Sequence, residues 1–359
     1  MTELFANLLA TPDLSDVHLE EGCVPWMRVA GALRPMDAIP TSLPAIQEFL
    51  RAHEQETRLS VSALVDLLTE NGDVDFACTV GGMRVRGNLY RSNGGRLCLA
   101  LRRIPEVPGD FSELGLPESL KGMLNRSKGL LLVTGPTGAG KSSTLAACVE
   151  HLNRSAARHI ITIEDPVEYI FARKQSLIQQ RQVGLDASDF SGALRAALRE
   201  DPDVIMVGEL RDQETIETAL HAANTGHLVL GTLHTSGARQ TIERIGMFFP
   251  EQSRQGAMQT LSSVLIAVLS QNLVRDARRS GRILCYELLI NTPPVRQAIK
   301  DGKPNQIFSA MELGRREGQV LLNQQLAQRV AARSITREDA LYISYDPAGL
   351  DKESAYVRT

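Results

Sequence analysis

Residues 129–143 read GLLLVTGPTGAGKSS. LLLVT (130–134) is a continuous apolar run of the kind that is buried on both faces of a sheet. Gly135, Gly138 and Gly140 then let the backbone curl, and SSTLAACVEHLNR follows with helical apolar spacing. Strand, glycine loop and helix in that order make a cradle in which backbone N–H groups and the positive end of a helix face one phosphate. The loop residues Gly135, Pro136, Thr137, Gly138, Ala139, Gly140, Lys141 and Ser142 fit the pattern G-x-x-x-x-G-K-[ST], and Ser143 directly after them is expected in the same nucleotide-binding set. In that pattern Lys141 pairs with the β- and γ-phosphates of ATP, and Ser142 ligates Mg²⁺ through its hydroxyl.

The same rhythm continues downstream. HIITIE (159–164), VIMVGE (204–209) and LVLGTLH (228–234) are further buried-type strands, separated by the helical stretches DFSGALRAALRE and DQETIETALHAAN. Such alternation predicts an α/β domain with a mostly parallel sheet and ligands at the strands' carboxyl ends. From about residue 250 the chain reads as mainly helical. Before the break at IPEVPGDFS (104–112), the pattern is that of a smaller α/β domain. SDVHLEEG (15–22), VPWMRVAGALRPM (24–36), DVDFACTV (73–80), MRVRGNLYRS (83–92) and RLCLALRRI (96–104) alternate as strands, while SVSALVDLLTE (60–70) has helical spacing. The expected organisation is an N-terminal domain over 1–104, a linker over 105–112 and an ATPase-type domain over 113–359.

Further side chains with chemistry stand at the ends of these strands. VIMVGE places Glu209 just past a buried strand, where a carboxylate can orient or deprotonate a water. ITIEDPVEYI ends another strand with Glu164, Asp165 and Glu168; Glu164 first and Asp165 second are assigned to Mg²⁺ and its waters, and Glu168 equally reads as surface. TGHLVLGTLHTSG holds His227 and His234 at the two ends of one strand. Their odd spacing of seven puts them on opposite faces, and His234 is the better γ-phosphate contact. The N-terminal strands carry Arg84, Arg86, Arg91, Arg96, Arg102 and Arg103. A guanidinium supplied in trans often neutralises transition-state charge in such ATPases, although exposed strand faces also carry arginines for no catalytic reason.

Composition narrows the class. The chain has 359 residues, 43% hydrophobic and 23% charged, with a formal net charge of -3. No global basic field points to nucleic acid or an anionic membrane, and Arg275, Arg278, Arg279 and Arg282 read first as a solvated surface. Five scattered cysteines form no C-x-x-C pair, so neither a zinc site nor a disulfide framework is indicated. The N-terminus makes a poor signal peptide, and VLIAVL (264–269) is too short to span a bilayer. A cytoplasmic protein that reaches the membrane only through a partner is expected, with no direct nucleic-acid partner.

GPTGAGKS, ITIEDPVEYI, LREDPDVIMVGELRD and TGHLVLGTLHTSGA, in this order, resemble the Walker A, Asp-box, Walker B and His-box motifs of the secretion-ATPase superfamily. The likeness is greatest to its type IV pilus retraction (twitching motility) ATPases, and it covers nearly the whole chain. It implies a homo-hexameric ring whose subunits have a PAS-like N-terminal domain and a RecA-like ATPase domain with ATP bound between them. It puts the Walker B glutamate on Glu209, the Asp-box glutamate on Glu164 and the His-box histidines on His227 and His234. The arginines that reach the phosphates in that family fall on Arg86 and Arg102, with Arg91 a poorer match. The implied partner is an inner-membrane pilus platform protein. The tetracysteine insert usual in assembly and type II secretion ATPases is missing, whereas PPVRQAIKDGK (293–303) keeps only the outline of the retraction family's C-terminal motif. Pilus assembly, conjugation and protein secretion therefore stay as alternatives, with a nucleic-acid translocase behind them.

Overall fold

Alternation of buried and exposed side chains shapes the first sheet, and unbroken burial the second. A computed structural model describes residues 11, 14–29, 32–57, 60–104, 109–279 and 281–357. Two compact units are formed: Met1–Val107 with Glu164–Ala172 and Gln182–Asp186, and Pro108–Ile163 with Arg173–Arg181 and Ala187–Thr359.

In the first unit β1 (Leu14–Glu20), β2 (Trp26–Val29), β3 (Ala32–Pro35), β4 (Asp73–Val80), β5 (Met83–Ser92) and β6 (Arg96–Arg103) form one sheet in the order β3-β2-β1-β6-β5-β4. All neighbouring pairs are antiparallel. One face is apolar: Val17, Leu19, Phe76, Val85, Leu89, Leu99 and Leu101 pack with Ile46, Phe49, Leu64 and Leu68 of the helices Leu43–Ala52 and Val61–Asn71. Ser42 and Ser60 start those helices by accepting from Ala45 N (3.3 Å) and Ala63 N (3.1 Å). Gly87 lies opposite Phe76, and a Cβ there would stand 2.2 Å from the phenyl Cζ, so the ring claims that space. The other face is polar and carries Asp16, Asp75, Arg86, Asn88 and Arg102.

The second sheet comprises β7 (Gly129–Thr134), β8 (His159–Glu164), β9 (Leu177–Gln182), β10 (Val204–Val207), β11 (Leu228–Leu233), β12 (Leu265–Arg275) and β13 (Arg282–Ile290). Their order is β13-β12-β7-β11-β10-β8-β9. β12, β7, β11, β10 and β8 run parallel, and β13 returns antiparallel on β12. Every residue of β7, β10 and β11 is buried, because helices sheath the sheet. Lys141–Ser155 and Gln213–Thr225 pack on β7 and β11, and Phe190–Ala197 packs on β10. Asp189 and Asp212 cap the latter two helices in sequence by accepting from Gly192 N (2.7 Å) and Thr215 N (2.8 Å).

Beyond residue 250 helices predominate, as expected, but this region also supplies β12 and β13. VLIAVL crosses from the end of the helix Glu251–Val264 into β12. An apolar run of six has no periodicity that separates a buried strand from a helix. The outer halves of β12 and β13 bury Val274 and Cys285 against Leu322, Leu326 and Leu350 of the C-terminal helices and Ile335 between two of them. Of the expected linker 105–112, residues 105–108 lie outside the described residues; Asp110 then caps the one-turn helix Phe111–Leu114 through Phe111 N at 2.7 Å. Among the described residues no helix is long and apolar enough to cross a membrane.

Candidate active site

β7 ends at Thr134, and the chain turns at Gly135 with φ of +144°. A Cβ at Gly135 would stand 2.4 Å from the Gln271 carbonyl oxygen, so the loop can hug β12 only because this residue is glycine. Gly138 and Gly140 also have positive φ, and Gly140 opens the helix Lys141–Ser155 without a side-chain cap. The first helical turn therefore directs backbone donors into the loop, the arrangement that binds an anion. Lys141 Nζ donates to Gly135 O (2.9 Å) and Pro136 O (3.1 Å), which holds the ammonium over the loop. Pro136, Thr137, Gly138 and Ser142 are exposed, whereas Ala139 is buried. These donors fit a nucleotide's phosphates.

β11 lies between β7 and β10, with Leu233 paired to Thr134 and Gly231 to Val207. That register brings the residues after β11 and β10 to the mouth of the loop. His234 Nδ1 lies 3.4 Å from Lys141 Nζ, and His234 Nε2 lies 3.4 Å from Glu209 Oε1. Both contacts are at the long end of hydrogen-bond reach. The other Glu209 oxygen meets Arg211 Nε at 2.8 Å, and the Arg211 guanidinium lies over the Phe190 ring. Glu209 is aimed by its neighbours: Leu210 N donates to Thr232 O (2.9 Å) and the Thr232 hydroxyl donates to Gly208 O. The unit thus assembles an ammonium, an imidazole and a carboxylate in a row at the loop. A water held there has a proton acceptor in Glu209.

His227, expected with the nucleotide-binding set, stands elsewhere. It precedes β11, its ring Nδ1 lies 3.1 Å from Ala222 O, and its own carbonyl accepts from Gly129 N at 3.1 Å. Gly129 begins β7 and the loop follows its end, so His227 is one strand length, roughly 20 Å, from the phosphate cradle. Glu164 is the buried last residue of β8, and its carboxylate accepts from Glu168 N at 3.4 Å. Asp165 follows it. Arg86 and Arg102 lie directly opposite one another on β5 and β6. Arg86 Nη2 donates to Asp75 Oδ2 (3.1 Å), and Arg102 Nε donates to the buried Asp16 (2.7 Å). Burial alone would raise the Asp16 carboxyl, but the hydrogen bonds from Arg102 and Ser15 outweigh it and hold the group below the usual carboxylate range.

Gln271 is a site residue that the sequence reading passed over. Buried on β12, it donates through Nε2 to Thr144 Oγ1 at 2.9 Å while its backbone carbonyl abuts Gly135. It braces the loop from the neighbouring strand, and nothing local in SQNLVR marks it out. Among the described residues no group of three or more His, Cys, Asp or Glu side chains could hold a metal by itself. A donor set of one hydroxyl and scattered carboxylates suits Mg²⁺ that arrives on phosphates, since that ion keeps several waters and takes few protein ligands.

A sequence model of the family described as Type II/IV secretion system protein matches residues 71–341. The chain belongs to this family. It is 44% identical over 334 residues to YggR of Escherichia coli K12, a protein described as uncharacterized, covering 92% of this chain and 98% of that one. The type IV pilus retraction ATPase PilT of Pseudomonas aeruginosa is 41% identical over 345 residues, covering 95% and 96% respectively. A crystal structure of the pilus retraction motor PilT with bound ADP superposes with a TM-score of 0.87 at 41% identity, covering 98% of this chain and 99% of that one. This member of the type II/IV secretion family is an ATPase.

Proposed function

We propose that the chain is a hexameric motor that hydrolyses ATP to drive type IV pilus retraction, acting in the cytoplasm through an inner-membrane platform protein. The observation that carries this reading is the row Lys141–His234–Glu209 at the mouth of the phosphate loop, in a chain 41% identical to a retraction ATPase along nearly its whole length. Gly135 to Ser143 and the Lys141 ammonium bind the phosphates. Glu209 accepts the proton of the attacking water, and His234 registers the γ-phosphate while keeping Glu209 in line. Ser142, Glu164 and Asp165 are the residues that would hold Mg²⁺ and its waters. When bound with the nucleotide, Mg²⁺ neutralises charge on the transferred phosphate. Arg86 and Arg102 add positive charge in trans, from a neighbouring subunit's N-terminal domain (1–104). Residues 105–112 serve as the linker to the ATPase domain, 113–359.

Gene deletion followed by counting surface pili tests the direction of work. Excess immobile fibres are expected. Bare cells would overturn retraction in favour of assembly, and unchanged pili with a secretion defect would point to protein export. Release of phosphate from ATP by the purified full chain tests the motor's chemistry separately.

A further inference from the structure

The loop that carries His234 is held in place from far along the chain. Residues 234–237 run from the end of β11 into the helix Ala238–Met247, whose N-cap is Gly237 with φ of 104°. Glycine has no side chain with which to satisfy the first N–H groups of the helix. Where the helices Phe190–Ala197 and Gln213–Thr225 use their own N-cap aspartates, this helix borrows its cap from β12 and β13. Gly237 N donates to Ser270 Oγ at 2.8 Å, and Ala238 N donates to Glu287 Oε1 at 2.7 Å. Ser270 and Glu287 are direct cross-strand partners, so one rung of that ribbon supplies both acceptors.

Glu287 is only 5% exposed. A buried carboxylate costs several kcal/mol unless its oxygens are satisfied. Here the donors come from two directions: Ala238 N at the positive end of the helix, and the Tyr345 hydroxyl on the second oxygen. Tyr345 lies between the helices Arg337–Ile343 and Pro347–Val357, and its ring packs on Gly237, where a Cβ would sit 3.5 Å away. Burial and the Glu287 charge both push the Tyr345 hydroxyl's pKa up, so it remains a donor across the neutral range. The tyrosine is nonetheless 45% exposed, which makes it the outermost member of the chain of contacts. On the other side, Thr241 Oγ1 lies 2.7 Å from Thr235 Oγ1 and donates to Gly237 O at 2.8 Å, closing the loop around His234.

We propose that Glu287 and Tyr345 are positioning residues for ATP hydrolysis: through the start of the helix Ala238–Met247 they fix the loop that sets His234 between Lys141 and Glu209. The C-terminal segment thereby gains a hand on the rate of the chemical step without touching the nucleotide. This rests on the reading of the 135–143 loop and Glu209 as a hydrolytic site.

The test compares the full-length chain with Tyr345→Phe, with His234→Ala and with the double variant. Single-turnover and steady-state ATP hydrolysis are measured, together with hydrogen exchange of peptides spanning 234–241. Tyr345→Phe removes one hydroxyl and leaves the ring; it is expected to lower kcat about five-fold with KM within about two-fold of the parent. In the His234→Ala background the same change should cost less than about 1.5-fold, because residues acting through one contact are not additive. The amides of Gly237 and Ala238 should exchange at least about five-fold faster in Tyr345→Phe. Glu287→Gln, which keeps an acceptor for Ala238 N, should lose less activity than Glu287→Leu. An equal fold-loss in both backgrounds, or unchanged kcat in Tyr345→Phe, overturns the proposal. Unchanged exchange at 237–238 overturns it even if the parent protein hydrolyses no ATP, in which case the hydrolytic reading fails on separate grounds.

Discussion

His234 Nε2 lies 3.4 Å from Glu209 Oε1, although the two residues leave different strands and are separated by β11 itself. The imidazole also lies 3.4 Å from Lys141 Nζ. One side chain thus touches both the Lys141 ammonium and the Glu209 carboxylate, so changes to the three residues are expected to have distinguishable kinetic signatures.

Glu209→Gln keeps the shape of the carboxylate and removes its basicity. Turnover should fall about a hundred-fold or more while ATP still binds. Equilibrium binding of a fluorescent ATP analogue and phosphate-release kinetics check the two halves of this expectation; wild-type turnover in the variant would remove Glu209 from the role of base.

Lys141→Ala acts on binding first. Loss of a charge-assisted contact worth about 1.5–3 kcal/mol should weaken ATP affinity about ten- to a hundred-fold. Titration calorimetry measures this directly, and an unchanged Kd would count against the phosphate role.

Gly135→Ala forces a methyl to 2.4 Å from the Gln271 carbonyl at a φ of +144°. Destabilisation of about 2 kcal/mol or more is expected, with weakened nucleotide binding. Gly122→Ala is the control, since nothing stands within 4 Å of its new methyl on the helix Ser119–Leu124. That change should stabilise by about 0.5 kcal/mol. Urea denaturation of both variants separates crowding from a general intolerance of alanine.

Arg86→Ala and Arg102→Ala subunits should each be inactive alone and regain hydrolysis when mixed with Glu209→Gln subunits. In a one-to-one mixture roughly a quarter of ring interfaces pair an intact Glu209 with an intact neighbouring arginine. Activity assays across mixing ratios read this out, and absence of rescue in every mixture removes action in trans.

Glu150 offers a pH-dependent check on the helix that follows the loop. Burial raises its carboxyl, but hydrogen bonds from Lys174, Arg154 and Asn153 outweigh it and lower the pKa. A lowered folded-state pKa contributes stability that is present above the unfolded carboxyl's value near 4.5 and is lost as pH falls through the folded value. Glu150→Gln should therefore cost about 1–3 kcal/mol at pH 7, and the gap to the parent should narrow as pH falls below 4.5 and through the lowered folded-state value. A gap that is constant with pH would assign the loss to packing.

The phosphate loop, β7, β8, β10 and β11 were legible because a buried parallel strand needs unbroken apolar sequence and a curling loop needs glycine. Gly135 and Lys141 announce their tasks by residue type. β12 was harder: LIAVL follows a helix without punctuation, and only burial on both faces decides its conformation. Gln271, Glu287 and Tyr345 left no local trace, since each acquires its task from a residue 50 or more positions away in sequence or from a neighbouring strand. The face-to-face register of Arg86 and Arg102 is likewise a property of strand pairing. His227 shows the converse: its motif neighbourhood is shared with His234, but six strand residues carry it to the other end of the sheet.

β11 has a meaning as a spacer as well as a strand. Leu233 is matched to Thr134 and Gly231 to Val207, so the length of 228–233 fixes where His234 emerges and toward which side. Exchanging one branched aliphatic residue for another within it leaves that outlet where it is. Inserting or deleting a single residue turns the imidazole to the opposite side of the sheet and away from both partners. The place of His234 is thus held by the number of residues in that strand and not by their identity, so the site is set by a distance along the chain.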